Sequence, residues 1–168
     1  LIEFVKILSI SSSSEHTDEV RRCAEFLRNQ MLQSGLQRAE IFETAGHPAV
    51  YGEWLGAEGK PTVLIYGHYE VQPVDPLELW ETPPFEPSIR DGRMYGRGTV
   101  DDKGQIYVHL KAIECWLSKH GRLPLNVKFI AEGEEEIGSE NLGDFLDNNQ
   151  ELLKADIAVI SDTPMFKK

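Results

Sequence analysis

Apolar positions along the chain follow two rhythms. Leu1, Phe4, Val5 and Leu8 recur at helical spacing, which predicts a helix over Leu1–Leu8, broken by the serines Ser11–Ser14. The same rhythm returns at Val20, Cys23, Ala24, Leu27 and Met31. It predicts a second helix, opened by Thr17 or Asp18 as N-cap and closed by Gly35. Arg38–Glu43 and Ala49–Leu55 read as strands, joined through Ala45-Gly46-His47-Pro48. Thr62–Tyr66 is a continuous apolar run between Pro61 and Gly67, the pattern of a strand covered on both faces.

Beyond that strand, Val71–Asp91 is rich in proline and acid. A loop of this length inside a compact domain is functional or disordered, and Trp80 and Phe85 predict that this one packs. Arg93–Arg97 reads as a short strand or extended turn. A helix follows from Gln105 to Lys119, with Ile106, Leu110, Ile113 and Leu117 on one face and Gly121 at its end. Leu125–Ala131 and Ala155–Ile160 are two more buried strands, with a helix over Ser139–Asn148 between them. Strands alternating with helices imply right-handed crossovers. The expected fold class is α/β: three layers, α/β/α, with a mostly parallel sheet and helices on both faces.

Composition narrows the partners. The 168 residues fit one domain, and 40% apolar with 27% charged residues fits a soluble globular one. The net charge of -11, from 17 basic and 28 acidic residues, argues against nucleic acid or an anionic membrane as partner. Cys23 and Cys115 both fall in helical segments and read as buried free thiols, which suits a reducing compartment. The opening LIEFVKILSI is too short and too charged to span a membrane, and it lacks a cleavage site. A cytoplasmic protein is expected. A first residue other than Met is consistent with the removal of a preceding segment.

Candidate chemistry sits where the strands and turns end: His68, Asp101, the run Glu134–Glu136, and Asp162. Each alone has a plainer reading. An acidic run is commonly a solvated turn, Asp101-Asp102 a helix cap, and Asp162 a loop acid. In a parallel sheet, however, these ends converge on one edge. One imidazole among several carboxylates suits Zn²⁺, Mn²⁺ or Co²⁺, and differs from a closed structural zinc site, which would use cysteines. More carboxylates than one ion needs point to two ions, which a single Asp can bridge through its two oxygens. Such a pair holds a water and polarises a carbonyl, while a spare carboxylate takes the proton. Glu70, two residues past His68, suits the orienter of a ligating imidazole.

Several ordered motifs resemble the M20 family of metallopeptidases, and especially its carnosinase-like and PepV-like dipeptidase branch. They are Gly67-His68-Tyr69-Glu70-Val71-Gln72-Pro73, Trp80 with Pro84-Phe85-Glu86-Pro87, Arg90-Asp91-Gly92, and Tyr95-Gly96-Arg97-Gly98. Asp101-Asp102-Lys103-Gly104 and Glu132-Gly133 with Glu135-Glu136 and Gly138-Ser139 complete the set. The resemblance implies that His68 and Asp162 ligate one metal, that Asp101 bridges two, and that Glu136 ligates the second. It implies a cis Asp101–Asp102 peptide and makes Glu135 the general base. Glu134 takes the free position of the family's Glu-Gly-any-Glu-Glu pattern. The implied cofactors are two divalent ions, zinc foremost, with manganese or cobalt as alternatives.

Two departures stand out. The family has Asp where this chain has Glu70, so the longer carboxylate must fold back to reach the imidazole. A weakened site is expected, and restoring Asp is expected to raise metal affinity. The family also has a further His ligand near its C-terminus and a separate lid and dimerisation domain, and neither falls within these residues. The chain thus reads as the N-terminal portion, 1–168, of one catalytic domain, binding metal weakly and hydrolysing little by itself. The implied parent hydrolyses dipeptides or short peptides, with a homodimer as its possible assembly. N-acyl amino acid deacylation and a non-catalytic binding or regulatory homologue are the alternatives.

Overall fold

The structure is a computed structural model and describes residues 1–164. Five strands form the main sheet: β1 (Arg38–Phe42), β2 (Ala49–Trp54), β3 (Thr62–His68), β6 (Asn126–Glu132) and β7 (Ile157–Ile160). Between β3 and β6 lie the short strands β4 (Ser88–Arg90) and β5 (Arg93–Tyr95), which form a separate antiparallel hairpin. The sheet order is β1-β2-β6-β3-β7. β3 runs parallel to both β6 and β7, while β2 is antiparallel to both of its neighbours. The sheet is therefore mixed, with β2 alone reversed among its strands.

Period-two alternation gives the central strands β2 and β6 two buried faces, whereas β7, expected to be buried, is largely exposed. On one face Ile65, Val127 and Phe129 pack against helices α2 (Thr17–Gln33) and α3 (Lys103–His120). On the other, Tyr51 and Ile130 pack against Phe145 of α4 (Leu142–Asn148) and Leu153 of α5 (Gln150–Leu153). This is the expected three-layer architecture. The α2 positions picked out by periodicity, Val20, Cys23, Ala24, Leu27 and Met31, are all buried. Full burial of a side chain such as Leu27 contributes roughly 1.5–3 kcal/mol.

The connections position the site. From β3 the chain crosses to β6 through α3, over one face. From β6 it crosses to β7 through α4 and α5, over the other face. Adjacent parallel strands whose exits part to opposite faces leave a crevice between their carboxyl ends. Here that crevice lies between β3 and β6, beyond His68 and Glu132, which pair in register.

Several local details differ from expectation, each for a physical reason. The first helix, α1, covers only Ile2–Val5. The Ile7 and Ser9 N–H groups turn to the Phe4 (3.3 Å) and Ile7 (2.9 Å) carbonyls in tight turns that leave the helical ladder, and the buried Lys103 ammonium donates to the same two oxygens at 3.1 and 2.8 Å. The helix expected from Ser139 starts at Leu142, because Gly138 and Ser139 both have positive φ. The Ser139 N–H turns back to the Glu134 carbonyl at 2.8 Å. The long proline-rich loop does pack, and it yields β4. Trp80 donates from Nε1 to the Val74 carbonyl (2.9 Å), and the Arg97 guanidinium lies 5.4 Å from the Trp80 ring centre. Cys23 is buried as expected, but Cys115 is exposed on the outer face of α3. Helical spacing places Cys115 opposite the apolar face of Ile106, Leu110, Ile113 and Leu117. Among the described residues, no helix is long and apolar enough to cross a membrane.

Candidate metal centre

His68 closes β3 with its ring wholly buried. Nδ1 lies 3.2 Å from the carbonyl oxygen of Glu70 and 3.4 Å from Glu70 Oε2. An Nδ1–H donated this way leaves Nε2 facing the crevice. There Nε2 meets Asp101 Oδ1 at 3.0 Å, Asp162 Oδ2 at 3.7 Å and Glu135 Oε2 at 3.9 Å. Burial alone would pull the imidazole pKa down. The carboxylates of Glu70, Asp102 and Asp101 outweigh it and push the pKa up to about 10. So negative a surrounding stabilises positive charge at Nε2, whether a proton or a metal cation supplies it.

Asp101 and Asp102 are joined by a cis peptide bond, as the resemblance implied. Asp101 faces the crevice, whereas Asp102 is buried beneath it. Asp102 Oδ2 accepts the His68 backbone N–H at 3.2 Å, and Oδ1 has no partner. Burial raises the Asp102 carboxyl pKa to about 7. Gly67 permits this approach: a Cβ there would stand 2.4 Å from Asp102 Oδ2 and 2.2 Å from Ile106 Cγ2.

The third wall is the 3₁₀ turn Glu135–Ile137, which leaves the end of β6. Its backbone is held by Glu134, whose carbonyl accepts the Ile137 N–H at 3.1 Å. The buried Glu134 carboxylate accepts the His47 N–H (3.1 Å), the Asn141 N–H (3.2 Å) and Asn141 Nδ2 (2.9 Å). Glu136 takes a bond from Gln72 Nε2 (2.8 Å), and its N–H donates to Glu70 Oε1 (2.9 Å). The Glu135 carboxyl stands above its ordinary pKa, through partial burial and then the nearby Asp162 and Glu136 charges, which outweigh the opposing pull of His68.

Asp162 enters from the end of β7, steadied by α3 on both sides. His109 Nε2 lies 2.6 Å from Ser161 Oγ, and Gln105 Nε2 donates to the Thr163 carbonyl at 3.1 Å. Glu132, at the floor of the crevice, accepts from Tyr66 (2.5 Å) and Ser139 (3.0 Å).

The atoms that could ligate a metal fall into two overlapping groups, His68–Asp101–Asp162 and His68–Glu135–Glu136, each within 4.8 Å. The structure thus brings His68, Asp101, Glu135, Glu136 and Asp162 together, with His68 rather than Asp101 common to both groups. A cation fits this donor set. The imidazole nitrogen and the carboxylate oxygens of each group lie close enough together to share a divalent ion, and nitrogen with carboxylate oxygen suits one of zinc type. The remaining histidines, His16, His47, His109 and His120, join neither group.

The Glu70 carboxylate reaches both walls: Oε2 folds back to 3.4 Å from His68 Nδ1, where the Glu70 carbonyl lies closer still at 3.2 Å, while Oε1 accepts the Glu136 N–H at 2.9 Å. Sequence reasoning missed Glu134, Gln72, Gln105 and His109 as supports. Gln105 and His109 are four apart, so they share one face of α3. That was a legible signal. The long-range partners of Glu134 and Gln72 left none.

The chain matches the family model described as peptidase family M20/M25/M40 over residues 64–168. It is 34% identical over 163 residues to a cysteinylglycine-S-conjugate dipeptidase of Corynebacterium striatum, covering 96% of this chain and 36% of that protein. It is 41% identical over 171 residues to the Cys-Gly metallodipeptidase dug1 of Schizosaccharomyces pombe, covering 95% and 36%. A crystal structure of an M20 family metallo-carboxypeptidase from Sulfolobus solfataricus superposes with a TM-score of 0.89 at 42% identity, covering 98% of this chain and 36% of that one. The chain thus spans about a third of the length of these relatives.

Proposed function

The chain belongs to peptidase family M20/M25/M40, and on that premise we propose that its crevice is part of a dinuclear metal centre for amide hydrolysis. The observation that carries this reading is the convergence of His68, at the end of β3, with four carboxylates: Asp101 before α3, Glu135 and Glu136 after β6, and Asp162 after β7. His68, Asp101 and Asp162 would hold one divalent cation, zinc by donor type, and Glu136 would help to hold a second. When bound, such ions supply Lewis acidity, which makes a water more acidic and an amide carbonyl more electrophilic.

The chain's own residues divide the remaining work. Glu135 is partly exposed to the crevice and 3.9 Å from His68 Nε2. Its raised pKa suits a base that takes a proton from water and returns it to the departing amine. Glu134 fixes the turn that presents Glu135, and His109 and Gln105 fix the loop that presents Asp162. Among the described residues no second imidazole reaches the ligating groups. The chain by itself is therefore proposed to bind metal weakly and turn over little, as one portion of a larger catalytic domain.

The substrate class proposed is a dipeptide or short peptide, as the names of the two curated relatives suggest. The test is a panel of dipeptides, tripeptides and N-acyl amino acids, assayed with zinc or manganese on the protein at its natural length. Fastest release of free amino acids from dipeptides is expected. Preference for N-acyl amino acids would move the reading to a deacylase. Glu135→Gln is expected to lower turnover by about 10²–10⁴-fold while leaving metal uptake in place. Unchanged turnover would remove Glu135 from the role of base.

A further inference from the structure

We infer that Glu70 is a positioning residue for Glu136, joining the end of β3 to the 3₁₀ turn after β6, and that its extra methylene is what gives it this reach. The side chain is wholly buried, so whatever it touches it touches without competing water. Oε1 accepts the Glu136 backbone N–H at 2.9 Å, a bond between residues 66 positions apart. A hydrogen bond to a buried carboxylate is stronger than one between neutral groups. The residue accepting it belongs to the strand end that carries His68, and the residue donating it is a candidate ligand. One carboxylate thereby sets the spacing between two walls of the crevice.

The His68 ring depends on this side chain less than a ligand–carboxylate pair would suggest. The Glu70 carbonyl lies 3.2 Å from Nδ1, against 3.4 Å for Oε2. A backbone carbonyl is present whatever side chain occupies position 70, so the tautomer that leaves Nε2 facing the crevice survives substitution. The Oε1 bond to Glu136 does not survive shortening by one methylene, which retracts the carboxylate by roughly 1.5 Å. Asp at this position would keep a charge near the ring and release the turn. Gln would keep the reach and lose the charge.

Hydrogen exchange at the Glu136 amide reads the bond directly, and zinc titration reads its consequence. The zinc arm rests on the metal reading proposed above, and the exchange arm does not. In Glu70→Asp the Glu136 amide is expected to lose protection by about tenfold or more relative to the Phe129 amide in the sheet core, while Glu70→Gln keeps it. Zinc affinity is expected to fall about tenfold in Glu70→Asp, the reverse of the expectation from sequence, because the bond from the Glu136 N–H to Oε1 would be lost. In a Glu136→Ala background the same change is expected to alter affinity by less than about twofold. Unchanged Glu136 protection in Glu70→Asp, parallel loss at Glu136 and Phe129, or a rise in zinc affinity each overturns the inference. Selective loss of Glu136 protection in a chain that takes up no zinc would uphold the link and refute the metal centre instead.

Discussion

At the scale of single residues, the site depends on buried carboxylates that bond to backbone. Glu134 accepts N–H groups from His47 and Asn141, and its carbonyl caps the turn that bears Glu135 and Glu136. Glu134→Ala would leave these donors without a partner in a nearly closed space, and a Gly46 Cβ would otherwise stand 1.7 Å from Glu134 Oε1, so the fit is close. Chemical denaturation should show a loss of about 1–3 kcal/mol. A loss below about 0.5 kcal/mol would mean that the clamp is incidental. The candidate site was legible in the sequence because His68, Glu135, Glu136 and Asp162 follow apolar runs and Asp101 follows a Gly-rich turn. Glu134 was not: its partner His47 lies 87 positions away, and nothing local marks the pairing.

At the scale of elements, β3 and α3 form the joint on which the crevice depends. Gly67 lets α3 approach so closely that Ile106 and the Asp102 carboxylate occupy the space of its missing Cβ. Gly67→Ala forces the strand end and helix start apart. Overpacking of this kind costs roughly 1–3 kcal/mol. Zinc uptake should weaken with it, since Asp101 rides on the displaced segment. Calorimetry and thermal unfolding on the same variant would check both, and unaltered zinc uptake would mean that the segment moves without disturbing Asp101. The strands and the three layers were readable from hydrophobic period alone, since a buried strand and an amphipathic helix differ in rhythm. The element ends were less so. The late start of α4 follows from the left-handed Ser139, and α1 ends in tight turns onto the Phe4 and Ile7 carbonyls, which Lys103 reaches from across the fold.

At the scale of the whole molecule, the sheet has one edge at β7, where Ile157 and Ile160 are 54% and 61% exposed. An exposed strand edge with apolar side chains invites pairing with another chain, which the net charge of -11 opposes at low salt. Sedimentation velocity should show association that grows with protein and salt concentration and that Ile160→Lys suppresses. A monomer under all these conditions would show that β7 is protected in some other way. The proposed function requires the crevice between β3 and β6 to bind a cation. Isothermal titration of zinc into the wild-type chain and into His68→Ala tests this most directly. The account predicts uptake by the wild type and loss of about 10-fold or more in affinity without the imidazole. Equal uptake by both, or none by the wild type, would contradict it.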